Sequence, residues 1–376
     1  MEYIKLKDIC ETTQGTQIPK SNQYETFGDG LIRYLYIADF KDDKDIKYVE
    51  DKYDEKIVSE DDLVMANTGS PGAVFKGKYG VLSNNLFKIS FDRTKLDKDF
   101  LYYYLSSDKF QENLQMRMKG GVQKHLGHKL IGEQIIPILD IETQNKIVEV
   151  LDKAQSLIDK KKEQIDLLDE LVKSRFVEMF GDPVLNTKEW EVKKVIDVCE
   201  CMVPGRDKPK SFTGDIPWIT IDDLKINRVT YKSKSCLGLT DDEIKEVKRK
   251  KIPKGSVLMS CVGNLGICSI AGEDMIINQQ LHSFQCKEIN NYFLMYYLGF
   301  RKDYMESKAS STTVLYMNKT VCNSIPVYLP PMELQNEFAE FITKTDSIRS
   351  KMEASLSELE DNFNSLMQKA FKGELF

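Results

Sequence analysis

Two stretches of this 376-residue chain are copies of one another, and a duplicated unit admits far fewer folds than unrelated segments do. Asp8-Ile9-Cys10 returns as Asp197-Val198-Cys199, and Ile32–Phe40 returns as Ile216–Leu224. Leu63–Gly72 matches Val257–Gly266, and Ser83-Asn84-Asn85 matches Ile277-Asn278-Gln279. Ile136-Pro137-Ile138 pairs with Ile325-Pro326-Val327, and Gln144-Asn145 with Gln335-Asn336. The offset stays between about 184 and 194 residues and the order never changes. One unit of nearly half the chain is used twice.

Each copy has two unlike parts. The first is β-like: short apolar runs such as Leu31–Ile37, Asp62–Met65 and Leu86–Phe91, or Ile216–Ile221 and Ser256–Cys261, broken by Gly, Pro, Asn and Asp. Short helices are expected at Phe100–Ser106 and Tyr292–Leu298. The second part is a long helix. Glu142 to Phe180 holds no Gly or Pro, and apolar residues fall at heptad spacing, Leu151, Ile158, Ile165, Val172 and Met179 on one seam and Leu168 on the other. Copy two offers Ile342, Leu356 and Phe363 with Leu359, interrupted by polar seam residues such as Thr345 and Arg349. Gly181-Asp182-Pro183 ends the first helix, and Pro330-Pro331 precedes the second.

Connectivity turns this pattern into a geometry. The first helix ends where the second β-like part begins, and the second helix starts where that part ends, so the helices run antiparallel. The expected fold class is α+β: two mixed α/β heads (1–140 and 182–331) separated by a long antiparallel two-helix coiled coil (141–181 and 332–376), with an internal pseudo-two-fold repeat. Each helix is about 58 Å long at 1.5 Å per residue. A molecule of this kind reads two things a fixed distance apart.

Composition speaks against a nucleic-acid partner only until it is divided. With 53 Lys+Arg against 59 Asp+Glu the net charge is −6. Residues 1–63 carry 9 basic and 16 acidic side chains (net −7), whereas 64–139 carry 11 and 6 (net +5) and 225–256 carry 10 and 4 (net +6). Basic segments with Asn and Gln nearby suit phosphate contact plus readout of base edges. The candidate DNA-binding residues in head one are Lys76, Lys78, Asn84, Asn85, Gln123, Lys124 and His125. In head two they are Arg206, Lys208, Asn264, Asn278, Gln279, Gln280, His282, Thr313 and Tyr316.

Signals for chemistry are sparse. Gly72–Lys78 satisfies G-x-x-x-x-G-K, but Tyr79 replaces the Ser/Thr that would hold magnesium, and the segment reads as a loop on a strand end. No G-x-S-x-G, H-E-x-x-H or G-x-G-x-x-G occurs. The eight cysteines lack a C-x-x-C and are expected to be reduced and buried, with no metal site. The N-terminus has no signal-peptide pattern and no apolar run approaches the roughly 20 residues that cross a bilayer, so a cytoplasmic, non-membrane protein is expected.

Two helix-end motifs now point to a family. Ser174–Pro183, reading SRFVEMFGDP, and Leu366–Leu375, reading LMQKAFKGEL, resemble segments of the specificity subunit of type I restriction–modification systems. Gly120-Gly121 with Leu126, and Ile135–Ile138 leading into Glu142-Thr143-Gln144, extend the resemblance, as do Ser310–Leu315 and Ile325–Pro331 with Glu333-Leu334-Gln335. Ser310-Ser311-Thr312 stands where copy one has Gly120-Gly121-Val122, so that loop is expected to differ between heads.

The resemblance implies two target-recognition domains, each reading half of a split site in double-stranded DNA. It implies helices that set the spacing and hold two methyltransferase subunits, with restriction (motor–nuclease) subunits joining them. S-adenosylmethionine, ATP and magnesium would sit on those partners, adenine N6 would be methylated, and this chain would be non-catalytic with no cofactor of its own. Half-sites on one face of B-DNA lie a turn of about 34 Å apart, and a spacer of about 58 Å matches one to two turns. The alternatives are a coiled-coil protein-binding scaffold or a stand-alone DNA-binding regulator. Salt separates the scaffold from DNA binding, because phosphate contacts weaken steeply as salt rises and an apolar protein interface does not.

Overall fold

The computed structural model describes residues 2–118, 125–205, 207–311 and 314–375. The chain forms two compact units, Met1–Lys162 with Ala354–Phe376, and Glu163–Glu353. The long helices run Ile141–Phe180 and Met332–Lys372, and each contributes one portion to each unit. The four-segment division expected from the sequence treats the helices as bodies apart, whereas their apolar faces are part of the two units' cores.

In the first unit, Cys10–Gln14, Leu86–Phe91, Leu63–Ala66 and Val74–Lys76 form a four-stranded antiparallel sheet in that order. A second sheet places Leu31–Leu35 parallel to Gly80–Leu82, with Lys47–Glu50 and Ile57–Val58 antiparallel outside them. The second unit repeats the plan. Cys199–Met202, Leu281–Cys286, Val257–Ser260 and Cys268–Ala271 form the matching sheet, with Val229–Thr230 added at its edge. Ile216–Ile219 is parallel to Ile276–Ile277, with Gly238–Leu239 beside it. Glu2–Lys5 pairs with Ile135–Ile138, and Val192–Lys194 with Pro326–Tyr328, which brings each chain segment back to the root of a long helix.

Local chemistry explains the element ends. Asp97 accepts hydrogen bonds from the backbone N–H of Asp99 and Phe100 and starts the helix Lys98–Ser106; Asn290 does the same with Tyr292 and Phe293 for Asn291–Phe300. Gly181 (φ 81°) and Gly373 (φ 75°) close the long helices in the left-handed region that favours glycine.

Within each unit the helix segments pack antiparallel. In the first, Ile147 and Leu151 share a core with Met367 and Ala370, and Lys162 meets Glu360 at 2.9 Å. In the second, Val172, Phe176, Met179 and Phe180 share a core with Phe338 and Ile342, and Arg175 meets Glu337 at 3.0 Å. Of the expected seam residues, Leu151, Ile158, Val172 and Ile342 are buried, and Ile165, Leu168, Leu356, Leu359 and Phe363 are half-buried. Arg349, an interruption in the seam, is 2% exposed and faces Asp169 at 2.5 Å.

Candidate nucleic-acid interface

The same backbone ladder occurs in both units. In the first, Asn67 N–H donates to the Asn85 carbonyl (2.9 Å), and Leu126 N–H donates to the Asn67 carbonyl (2.9 Å). In the second, Cys261 N–H donates to the Gln280 carbonyl (2.8 Å) and Met317 N–H to the Cys261 carbonyl (2.9 Å). The turn that follows each central residue carries a pair of left-handed glycines, Gly69 and Gly72 in one unit and Gly263 and Gly266 in the other. A side chain at those φ values costs strain, so the repeated G-x-x-G is a backbone requirement of this turn.

On this frame the units mount different side chains. In the first unit the Thr68 hydroxyl donates to Asn85 Oδ1 (2.9 Å), and the Asn67 amide donates to the Asn84 carbonyl (3.0 Å). Gln14 also donates to the Asn84 carbonyl, and its own Oε1 lies 3.0 Å from His128 Nε2. A carbonyl oxygen only accepts, so Nε2 donates to Gln14, and Nδ1 lies 2.5 Å from the Thr12 hydroxyl. Asn84, Asn85 and His125 are exposed beside this network. Gln14, Thr12, Asn67, Thr68 and His128 were not singled out from the sequence. Asn67-Thr68 lies in the repeated segment and carried a signal, whereas the meeting of residue 14 with residue 128 is purely tertiary.

In the second unit Asn278 donates to Gln280 Oε1 (2.7 Å), while Gln279, Asn264, Lys208 and Tyr316 are exposed. Tyr316 sits on a short hairpin, Ser310–Ser311 with Leu315–Tyr316, whose strand bridges to Val262 beside the glycine turn. A cavity of about 570 Å³ lined by Lys208, Phe212, Trp218, Thr220 and Gln280 opens among these groups. In the first unit Tyr36 stands where Thr220 does; it packs edge-on against Tyr34 with ring centroids 4.9 Å apart and lines a cavity of about 560 Å³ together with Lys20, Gln23, Glu25, Asp39 and Lys47. Arg249, another residue without a sequence signal, positions the Lys208 loop. It is 6% exposed, donates to the Asp207 carbonyl (2.7 Å) and the Ile277 carbonyl (2.7 Å), and lies 4.7 Å above the Trp218 ring. Burial lowers its pKa from the ordinary arginine value.

Several expected contacts need correction. His282 is 1% exposed, with Nε2 3.0 Å from Asn323 Oδ1 and its ring edge-on to Phe284, so it is a core residue and not a DNA contact. Lys76 is bound to Asp99 at 2.7 Å and lies over the Tyr102 ring; burial works against its charge, but the Asp99 carboxylate holds its pKa above the ordinary value. Lys78 donates to the Asp39 carbonyl (2.6 Å) and to Asp43 (2.9 Å), and Arg33 and Lys78 together lower the Asp43 pKa. The charge difference between 1–63 and 64–139 is therefore partly cancelled by contact, since Lys88 with Asp62 and Lys98 with Asp61 pair across it as well. Gly72–Lys78, read as a loop on a strand end, holds the strand Val74–Lys76 itself. Cys236 is exposed, against the expectation for cysteines. Gln123, Lys124, Arg206 and Thr313 lie outside the described residues, as does the Gly120-Gly121 loop.

His282 carries a pH prediction. Burial pushes its pKa from 6.5 down to about 4. The unfolded chain then binds the extra proton between these values, so stability is complete above pH 6.5 and falls with pH through that window, by about 3 kcal/mol in total. Urea unfolding at pH 7.5 and pH 4.5 is expected to show this loss in the natural chain and not in His282→Gln. Equal losses in both would assign the acid sensitivity elsewhere.

The family profile of the type I restriction modification DNA specificity domain matches residues 1–169 and again 187–361. The chain belongs to the type I restriction–modification specificity family. The function of this family is DNA sequence recognition, and the two matched domains coincide with the two copies read from the sequence. Its relatives include the specificity subunit of the type I restriction enzyme MjaVIII from Methanocaldococcus jannaschii, 24% identical with 100% of this chain and 92% of the relative covered. The EcoBI specificity subunit of Escherichia coli is 21% identical, covering 99% and 85%. Among solved structures, the type I S subunit from M. genitalium shares the fold with a TM-score of 0.54 at 15% identity, covering 98% and 96% of the two chains. A chain from a structure described as the basis of complex assembly and conformational transition of the type I R-M system gives 0.56 at 17%, covering 100% and 98%. This specificity-family chain is mixed α/β, and none of its described helices is long and apolar enough to cross a membrane.

Proposed function

We propose that the two units are target-recognition heads that read the two unlike halves of a bipartite, asymmetric site in double-stranded DNA. The long helices form an antiparallel coiled coil that acts as ruler and assembly platform. Two methyltransferase subunits dock on it and supply S-adenosylmethionine chemistry on adenine N6, and restriction subunits bring ATP and magnesium. This chain is non-catalytic and works in the cytoplasm. The observation that carries the reading is the duplicated ladder. One backbone frame presents Asn84, Asn85 and His125 in one head and Gln279, Lys208 and Tyr316 in the other, with the half-buried Gln14 and Asn278 bonded beneath them. Amides pair with adenine and Lys with guanine or phosphate, so equal frames with different side chains read different sequences.

The test is methylation mapping of a genome exposed to this chain together with its methyltransferase subunits. A motif of two unlike halves with a fixed gap is expected. One continuous motif, or a perfect palindrome, would overturn the two-head reading.

A further inference from the structure

Each long helix is tied at its root to one head by a buried glutamine, and the two ties match; in the second unit the exposed Asn336 adds a bond of its own, its Oδ1 accepting from Asn290 Nδ2 at 3.0 Å. Gln144 is 0% exposed. Its Oε1 accepts from the Asp97 backbone N–H at 2.8 Å, and its Nε2 donates to the carbonyls of Lys95 (2.7 Å) and Leu139 (2.8 Å). Gln335 is 1% exposed. Its Oε1 accepts from the Asn290 backbone N–H at 2.9 Å and its Nε2 donates to the Pro330 carbonyl at 2.7 Å. Asp97 and Asn290 are the residues that cap the heads' own helices, and Leu139 and Pro330 lie just before the long helices begin. One amide group therefore joins three things: the cap of a head helix, the corner leading out of the head, and the first turn of the long helix.

The choice of residue is informative. A methionine or leucine would fill the same space without burying an amide, but would leave the backbone groups that the amide now pairs, the Asp97 and Asn290 N–H and the Lys95, Leu139 and Pro330 carbonyls, without this partner. Apolar contacts, however, are non-directional, whereas an amide with both donor and acceptor engaged fixes distance and angle together. The neighbouring Glu142, Asn145 and Lys146, and Glu333, Asn336 and Glu337, are exposed, so the glutamine is the inward polar group of each first turn. Leverage makes angle matter here. A straight helix of 40 residues is about 60 Å long, so a tilt of about 3° at its root moves the far end by roughly 3 Å, the rise of one base pair.

We propose that Gln144 and Gln335 are positioning residues that fix the angle between each head and its helix, and so set the number of base pairs allowed between the two half-sites. This rests on the ruler reading above. The amides touch no DNA; they act through the heads they hold.

The experiment uses the complete complex with its methyltransferase subunits and duplexes carrying both half-sites at the native gap and at gaps one or two base pairs longer or shorter. Methylation rate and Kd are measured for each. The natural chain is expected to show a sharp optimum. Gln144→Met and Gln335→Met are expected to reduce the advantage of the native gap over its one-base-pair neighbours at least tenfold, while base preference within each half-site stays as it was. Gln144→Asn and Gln335→Asn, which keep the amide but shorten its reach, give a milder second pair with the same direction of change. Asn145→Ala, at the exposed neighbour, keeps the sharp optimum. Unchanged gap profiles in the Met and Asn variants would overturn the proposal and leave the ruler standing. Loss of half-site preference would also overturn it, because the amide would then support the head's fold and not its angle. A natural chain indifferent to the gap would bring down the ruler reading and this proposal together.

Discussion

Phe176→Ala is expected to destabilise the second unit by about 4 kcal/mol, the middle of the range for a buried aromatic truncation. The ring is 0% exposed and lies with its centroid 4.9 Å from Phe180, 5.5 Å from Phe293, 5.1 Å from Phe300 and 5.4 Å from Phe338. Those partners come from both long helices and from the head helix Asn291–Phe300, so the cavity left behind is walled on three sides by elements held elsewhere. Such walls collapse poorly, and each lost aromatic pair adds about 0.5–1.5 kcal/mol beyond area. The measurement has a natural reporter: the chain has two tryptophans, Trp190 and Trp218, both in this unit. Urea unfolding followed by their fluorescence should show the midpoint falling with little change in slope. Leu171→Ala, at a position 50% exposed on the same helix, should stay within about 0.5 kcal/mol. A Phe176→Ala loss below about 1 kcal/mol would mean that the helix portions do not share a core with the head.

What could be read in advance follows from the range of the physics. The heptad run from Glu142 to Phe180 announces a helix because its period is local, and the helix Ile141–Phe180 begins one residue earlier. Leu86–Phe91 is a strand over the bounds expected, since alternation and flanking asparagines are local as well. The strand Val229–Thr230 was not legible; two residues carry no period, and only the edge of the Cys268–Ala271 strand makes them a strand. The candidate site divides the same way. Asn84, Asn85, Asn278 and Gln279 could be picked because the repeat aligns them at a turn. His282 resembled them in polarity, yet two residues beyond Gln280 the chain is already in a strand whose inward face is core. Counting charges by segment mistook Lys76 and Lys78 for free cations, because their carboxylate partners lie 23 and 35 residues away in sequence. Arg249 is the opposite case: a basic residue in a lysine-rich run whose function is to hold a loop from inside.

Replacing residues 184–331 by the matching segment of another family member is expected to change one half-site and leave the other, and the gap, as they were. The exposed and pocket-lining groups of the second head, Lys208, Asn278, Gln279, Gln280 and Tyr316, all travel with that segment, while Gln14, Asn67, Asn84 and Asn85 stay behind. Val184 is 64% exposed and Pro331 is exposed, so both junctions fall where little packing is disturbed. Gln144 and Gln335 also stay, and within the exchanged segment Gln335 needs only backbone groups, the Asn290 N–H and the Pro330 carbonyl, which any replacement of the same fold presents. The effect is large because specific sites are bound roughly 10³–10⁷ times more tightly than others. Methylation of the old site should therefore fall below detection while a hybrid site appears, half old and half new. If the untouched half also changed, base readout would depend on both units at once, and the duplicated ladder would be a structural repeat without a divided function. If only the gap changed, the second unit would belong to the ruler and not to the reading head.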